Sequence, residues 1–199
     1  KYEEVIRKTT RFLDNVIDVN HYPVPEINVA SKESRRIGLG VMGVADLLYK
    51  LRISYNSKEG YEFMSKLSEA LSYYSMEESV ALSQSRTEFP LCAKTEFPDG
   101  KIPIAGYYEK PKSSHYYDWD ALIAKIQKYG IRNVLTTTVA PTGTLSMIAD
   151  CSNGMEPTFA LVFEKRVTVG RFFYTNKIFE QVLRENGLYS EELLAKIAS

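Results

Sequence analysis

Residues 140–146 have the composition of an anion-binding loop. The preceding residues, 133–139, are mostly β-branched, which predicts a buried strand. The loop itself consists of Ala140, Pro141, Thr142, Gly143, Thr144, Leu145 and Ser146. Ligands commonly bind at the carboxyl ends of strands in α/β sheets, and a helix start offers free N–H groups to phosphate. No Lys or Arg lies between Asn133 and Phe163, so we expect amides and hydroxyls to hold the anion. The alternative is an ordinary turn without a ligand.

The segment Gly38–Gly43 fits the G-x-G-x-x-G pattern of dinucleotide-binding folds. That pattern requires a buried strand before the first glycine, but residues 31–36 are polar and charged. We therefore interpret Gly40, Gly43 and Ala45 as small residues that let a helix approach a neighbouring element closely. A nicotinamide-dependent oxidoreductase that uses Gly38–Gly43 remains an alternative.

The residues with reactive or titratable side chains do not form a recognisable catalytic set. Cys92 and Cys151 lack the C-x-x-C spacing of a metal or dithiol site, and we expect buried or half-buried thiols. His21 and His115 lie in Pro- and Tyr-rich segments and are predicted to be solvated loop histidines. Glu156 precedes a proline, which favours extended backbone that could aim its carboxylate at residues 140–146. We assign no catalytic residue and no metal ligand.

The overall composition is that of a globular domain and excludes several classes of protein. The 199 residues are 44% hydrophobic, and 25 basic residues balance 25 acidic ones. This balance gives no global field that would attract nucleic acid or an anionic membrane surface. No apolar run is long enough to cross a membrane, and the first residues lack the apolar core of a secretory signal. We expect a cytoplasmic protein without a nucleic-acid or membrane partner.

Hydrophobic spacing and capping residues predict a mixed α/β chain. An extended connector is expected after the paired prolines at 23 and 25, and a loop-rich stretch is expected at 89–117. Asp118 and Gly130 are predicted to begin and end one helix. The predicted helices cover residues 2–19, about 56–84, 119–129, about 176–185 and 191–198, and the segment after residue 35 is expected to become helical toward Arg52. The predicted strands cover 133–139, 158–163 and 166–173.

Several ordered motifs together resemble the catalytic chain of ribonucleotide reductases. The resemblance covers nearly the whole chain. The sequences of residues 140–144 and 163–170 are most similar to those of the adenosylcobalamin-dependent, class II branch. The segments that carry it are residues 14–18 (DNVID), 22–26 (YPVPE), 36–48 (RIGLGVMGVADLL), 140–146 (APTGTLS), 153–157 (NGMEP) and 159–170.

The resemblance implies both a fold and an activity. The implied fold is an α/β barrel of ten strands, of which residues 1–199 would form a helix-rich, partial segment of the catalytic barrel domain. The implied activity is conversion of ribonucleotides to deoxyribonucleotides by thiyl-radical chemistry, with adenosylcobalamin as cofactor of the complete enzyme. In that family the motif at 140–146 binds the phosphates of the substrate, and the glycine segment at 38–43 does not bind a dinucleotide.

The chain also departs from the family pattern. The Asn-x-Cys-x-Glu finger loop and the reducing cysteine pair are not among the 199 residues, and Cys92 and Cys151 do not occupy matching positions. The chain therefore resembles a segment whose upstream half is missing, and we expect no turnover by it alone. The alternative is a non-catalytic subunit of a split reductase that pairs with a separate upstream half. Exposed barrel edges would favour homo-oligomers or marginal stability.

Overall fold

A computed structural model describes residues 1–167 and 170–198, and these residues form two compact units. The first unit contains Lys1–Gly40 and Glu62–Ala140, and the second contains Val41–Tyr61 and Pro141–Ser199. The helices and strands, in chain order, are α1 (Tyr2–Val19), α2 (Pro25–Ser34), α3 (Val44–Leu51), α4 (Lys58–Arg86), α5 (Ala105–Glu109), α6 (Trp119–Tyr129), α7 (Gly143–Ala149), β1 (Val162–Val167), β2 (Gly170–Thr175), α8 (Lys177–Glu185) and α9 (Glu191–Ala198).

The first unit is built around α4 and α6. The Asp118 carboxylate accepts a hydrogen bond from the Ala121 N–H at 2.9 Å, and Gly130 ends α6 with φ of 69°, so both predicted boundaries are confirmed. These helices bury one apolar cluster together with the loops at 89–104 and residue 131. Its buried members are Met76, Val80, Phe89, Cys92, Phe97, Ile102, Trp119, Leu122, Ile126 and Ile131.

A buried polar cluster also stabilises this unit. The Asp14 side chain is fully buried, and its Oδ1 accepts hydrogen bonds from Arg35 at 2.8 and 3.0 Å and from Asn133 at 2.9 Å. Its other oxygen, Oδ2, lies 3.2 Å from Arg86 and 3.5 Å from Arg132. One carboxylate thus gathers three arginines, which satisfies charges that burial would otherwise penalise.

The strand predicted at 133–139 is wrong. These residues run beside residues 37–39, but they form only one isolated parallel bridge, between Leu39 and Thr137. The glycines before the bridge explain the close approach: a Cβ at Gly38 would lie 3.0 Å from the Thr138 side chain, and one at Gly40 would lie 3.0 Å from the Thr138 carbonyl oxygen. Gly38 and Gly40 therefore admit another stretch of backbone, which corrects the interpretation of Gly40 as a helix-packing residue.

The extended connector predicted after the prolines at 23 and 25 is also wrong, because α2 occupies Pro25–Ser34. Proline is well tolerated at the first position of a helix, where its missing N–H has no intrahelical partner. The predictions of α1, α4 and α8 are confirmed. At the start of α4, the Ser57 hydroxyl accepts the Gly60 N–H at 3.0 Å.

The second unit holds an antiparallel hairpin in which Val162 of β1 pairs with Thr175 of β2. Its buried cluster consists of Val162, Leu183 and Leu194. The predicted strands at 158–163 and 166–173 thus begin too early, and residues 168 and 169 lie outside the described residues. Within the described residues, β1 and β2 are the two strands assigned. The helix-rich character is confirmed, whereas a ten-stranded barrel is not.

Candidate functional site

The loop predicted to bind an anion enters a short helix in the second unit. Pro141 is exposed, Thr142 adopts a left-handed conformation (φ 54°, ψ 23°), and α7 follows from Gly143. The first intrahelical hydrogen bond runs from the Ser146 N–H to the Thr142 carbonyl at 2.8 Å. The N–H groups of the three residues between them have no intrahelical acceptor, because they belong to the first turn of the helix.

Two hydroxyl groups of the loop form hydrogen bonds within the protein, and a third is exposed. The Thr142 Oγ1 accepts the Gly154 N–H at 2.8 Å, so it does not cap α7. The Ser146 hydroxyl is buried and contacts Asn153 Oδ1 and the Gly143 carbonyl. Thr144 is exposed, and its hydroxyl has no hydrogen-bond partner among the described residues. The outward donors are therefore the three N–H groups of Gly143, Thr144 and Leu145 together with the Thr144 hydroxyl.

The segment at 151–154 is hydrogen-bonded to α7 and to the turn at Gly43. The Cys151 N–H donates to the Ser146 carbonyl at 3.0 Å, and the Ser152 carbonyl accepts the Gly43 N–H at 2.9 Å. Gly43 has φ of +77°, and a Cβ there would lie 3.3 Å from the Cβ of Cys151. This is the actual constraint on Gly43: it makes the sharp turn into α3 directly against Cys151.

Asp46 links three parts of the second unit, and the sequence reasoning missed it. Its carboxylate accepts the Ser152 N–H at 2.7 Å and the Asn176 side-chain amide at 2.9 Å. The Asp46 N–H in turn donates to the Ser152 hydroxyl at 3.3 Å. Asn176 also caps α8 by accepting the N–H groups of the second and third helical residues. A carboxylate in the first turn of α3 was the only available signal, and it indicates helix capping equally well.

The remaining candidate residues do not join the loop. Burial raises the pKa of the Cys92 thiol to about 11, and burial followed by two nearby carboxylates raises the pKa of Cys151, so neither thiol favours the reactive thiolate. Glu156 is exposed, and its carboxylate makes no hydrogen bond to the loop among the described residues. His21 is exposed as expected, whereas the prediction for His115 is wrong because its side chain is only 6% exposed.

The described residues also limit which other sites can be assigned. Within residues 1–167 and 170–198, no three His, Cys, Asp or Glu side chains come together as metal ligands. No helix in the same part of the chain combines the length and apolar composition needed to cross a membrane. Helix α2 ends at Ser34 shortly before Gly38, and no named strand of the described residues precedes these glycines, so a dinucleotide fingerprint lacks its required context.

Comparison with known proteins shows the family. The model of the ribonucleotide reductase barrel domain matches residues 1–199. The chain is 39% identical over 199 residues to a vitamin B12-dependent ribonucleoside-diphosphate reductase of Thermoplasma acidophilum, covering all of this chain and 22% of that protein. It is 35% identical to the similarly named protein of Mycobacterium tuberculosis, covering 100% of this chain and 25% of that protein. Identity is also 35% with a ribonucleoside-diphosphate reductase subunit alpha of Chlamydia pneumoniae, covering 98% and 20% respectively.

The chain spans about a quarter or less of each of these curated relatives. The family match nevertheless covers every residue of the chain, and it agrees with the resemblance carried by the ordered motifs. The chain therefore belongs to the ribonucleotide reductase barrel-domain family.

Proposed function

We propose that this chain forms part of the catalytic barrel of a ribonucleotide reductase and that residues 140–146 hold the phosphates of the substrate. One observation carries the proposal: three successive N–H groups at the start of α7 have no capping side chain and lie beside the exposed Thr144 hydroxyl. Such a group of donors, at the positive end of a helix dipole, is suited to an anion.

The donors are neutral, so the phosphate keeps its negative charge on binding. Hydrogen bonds to charged groups contribute about 1.5–3 kcal/mol each, which makes a few amides sufficient for useful affinity. Because Gly143 carries no side chain and a Cβ there would meet nothing within 4 Å, the approach to these amides is open. Thr144 adds one hydroxyl donor at the same edge.

The internal hydrogen bonds of the loop support a binding site that is formed before the ligand arrives. Thr142 is tied to Gly154, and Ser146 is tied to Asn153. These contacts hold the first turn of α7 in place. Binding therefore loses little conformational entropy from ordering the loop. In this role Thr142 and Ser146 are positioning residues, and the main chain provides the contacts to the phosphate.

We propose that the whole protein converts ribonucleoside diphosphates to the corresponding deoxyribonucleotides by thiyl-radical chemistry. The names of the relatives support the diphosphate as substrate. Cys92 and Cys151 do not suit the redox steps, because burial raises the pKa of both thiols. We infer that the radical and reducing cysteines belong to other parts of the protein, and that residues 1–199 contribute to a ten-stranded, cytoplasmic barrel completed by them.

Adenosylcobalamin is the cofactor we propose for the whole enzyme, because two relatives are named vitamin B12-dependent. When bound, it supplies the radical that starts the reaction. The described residues bring no cluster of metal-ligating side chains together, and we assign none of them to the cofactor. The part proposed for this chain is to bind and orient the phosphate end of the substrate.

Amide NMR spectra of the ¹⁵N-labelled chain during titration with ADP test the phosphate site. We expect saturable shifts at Gly143, Thr144 and Leu145, and no such shifts with adenosine, which has no phosphate. Thr144→Val should weaken ADP binding about tenfold, since it removes one charge-assisted hydrogen bond of about 1.5 kcal/mol.

Thr158→Val is the matched control, because Thr158 lies in the same unit and its buried hydroxyl has no described hydrogen-bond partner. It should leave the ADP affinity unchanged. Saturable shifts that cluster away from the start of α7, or equal binding of adenosine and ADP, would contradict the proposed phosphate site.

A further inference from the structure

A second candidate site lies in the first unit, within residues 62–140. A cavity of about 170 Å³ separates one side of α4 from the segment that leads into α6. Its lining includes Ser65, Ser68 and Ser72 of α4, together with Tyr107 of α5 and Trp119 of α6. A water molecule occupies about 30 Å³ of liquid, so the cavity has room for a small organic molecule.

Glu69 contributes a half-buried carboxylate to this cavity, and its side chain is 10% exposed. Its Oε1 accepts the Tyr116 N–H at 2.9 Å and the Trp119 indole N–H at 3.1 Å. Its Oε2 makes no hydrogen bond to any described residue. This oxygen is therefore free to accept a hydrogen bond from a donor group of a ligand in the cavity.

The ring of His115 adds a second acceptor beside this carboxylate. Its Nε2 lies 3.3 Å from the Tyr107 carbonyl oxygen, which only accepts, so Nε2 is assigned as the donor. In the neutral ring the other nitrogen, Nδ1, is then an acceptor, and it lies 3.7 Å from Glu69 Oε1. Glu69 Oε2 and His115 Nδ1 are thus two acceptors available to a ligand in the cavity.

A positive charge lines the same cavity. The Lys110 ammonium donates to the Ser65 hydroxyl at 2.7 Å. Ser65 lies one helical turn before Glu69, which places their Cβ atoms about 5–6 Å apart. The lining of the cavity therefore includes both an anion, Glu69, and a cation, Lys110.

We propose that this cavity binds a small zwitterion of the amino-acid class. The ligand's ammonium group would donate to Glu69 Oε2 and His115 Nδ1, and its carboxylate would accept from Lys110. An aliphatic side chain would pack against the rings of Tyr107 and Trp119. This site is separate from residues 140–146, so its test is independent of the proposed phosphate site.

The indole N–H signal of Trp119 reports on the cavity directly, because Trp119 is the only tryptophan of the chain and donates to Glu69. We expect L-valine to shift this signal saturably in spectra of the ¹⁵N-labelled chain. Isobutylamine, which lacks the carboxylate of valine, and isovalerate, which lacks its ammonium group, should each bind at least tenfold more weakly.

Three variants test the assigned contacts. Glu69→Gln keeps the Oε1 acceptor for Tyr116 and Trp119 but removes the charge, so valine binding should fall at least tenfold in a folded protein. Lys110→Gln should weaken the binding of valine and leave the binding of isobutylamine unchanged. Glu26→Gln is the matched control, because it removes an exposed carboxylate of the same unit and should change nothing.

Ser68→Leu provides a second approach that keeps both charges and fills the cavity, and it should also abolish the valine-dependent shift. The proposal is overturned if valine produces no saturable shift, if isobutylamine binds as tightly as valine, or if Glu69→Gln binds valine like the unmodified chain. The last two results would indicate an ordinary apolar cleft beside an internal Glu69–His115 contact.

Discussion

Replacing Asp14 should destabilise the first unit far more than replacing Asp18, although both carboxylates contact Arg35. Asp14 is fully buried and accepts two hydrogen bonds from Arg35, whose own side chain is only 4% exposed. Asp18 lies 2.8 Å from the same guanidinium, but its side chain is 48% exposed. The two substitutions therefore remove the same charge from the same partner in different surroundings.

The expected magnitudes follow from burial. Asp14→Ala leaves Arg35 and Asn133 without their main acceptor and should lower the free energy of unfolding by about 3–5 kcal/mol. Asp14→Asn keeps one oxygen acceptor and loses the charge, so we expect a loss of about 2–3 kcal/mol. Asp18→Ala removes a solvent-screened pair and should cost about 1 kcal/mol or less.

Urea unfolding followed by far-UV circular dichroism and Trp119 fluorescence measures these differences. Asp14→Asn is included because a loss of 3–5 kcal/mol is a large share of the 5–15 kcal/mol that typically stabilises a domain, and the alanine variant can fall below the measurable range. If Asp14→Asn and Asp18→Ala cost the same within about 0.5 kcal/mol, the reasoning from burial is refuted.

Three further predictions concern single positions. Thr158→Val removes a buried hydroxyl that lacks a described partner, so it should raise the free energy of unfolding by about 1 kcal/mol in urea; a loss would show that the hydroxyl is satisfied. The hydrogen bond from Arg35 lowers the pKa of Asp18. Its contribution to stability is therefore complete above the unfolded pKa of about 3.9 and is lost as pH falls through the folded pKa, and urea midpoints between pH 2 and 6 should show a shallower acid loss for Asp18→Asn. Gly43→Ala should cost about 1–3 kcal/mol because of its positive φ and the Cys151 contact, whereas Gly106→Ala, which meets nothing within 4 Å, should be neutral or slightly stabilising; equal thermal midpoints for the two variants would contradict this.

The sequence predicted helices better than strands, because helix signals are local. Asp118 and Gly130 bound α6 through contacts within a few residues of each other, so their types alone indicate the ends. The residues at 133–139 have strand composition, but a strand also needs a partner, and the partner segment near Leu39 provides one bridge only. The prediction of a connector after Pro25 was wrong because proline is permitted in the first turn of a helix as well as at a break.

The sequence indicated where the loop exposes its amides, but it did not indicate how the loop is organised internally. A proline, a glycine and several hydroxyls indicate where a loop can expose its amides, and α7 begins at Gly143 as that pattern favours. The sequence did not show that Thr142 and Ser146 are committed to Gly154 and Asn153, because those partners reach the loop only after folding. For the same reason, Asp46 could not be recognised as the residue that joins three segments.

The free N–H groups at the start of α7 have a consequence for mutational surveys. Alanine keeps the backbone amide of any residue that it replaces, so an alanine scan across 143–145 would change only the Thr144 hydroxyl among the proposed donors. Natural selection would likewise act little on side-chain identity at these positions. It would act more strongly to keep the backbone conformation and to exclude proline, which has no N–H. Amide-to-ester replacement by chemical synthesis, which deletes one N–H at a time, is the perturbation to which such a site would respond.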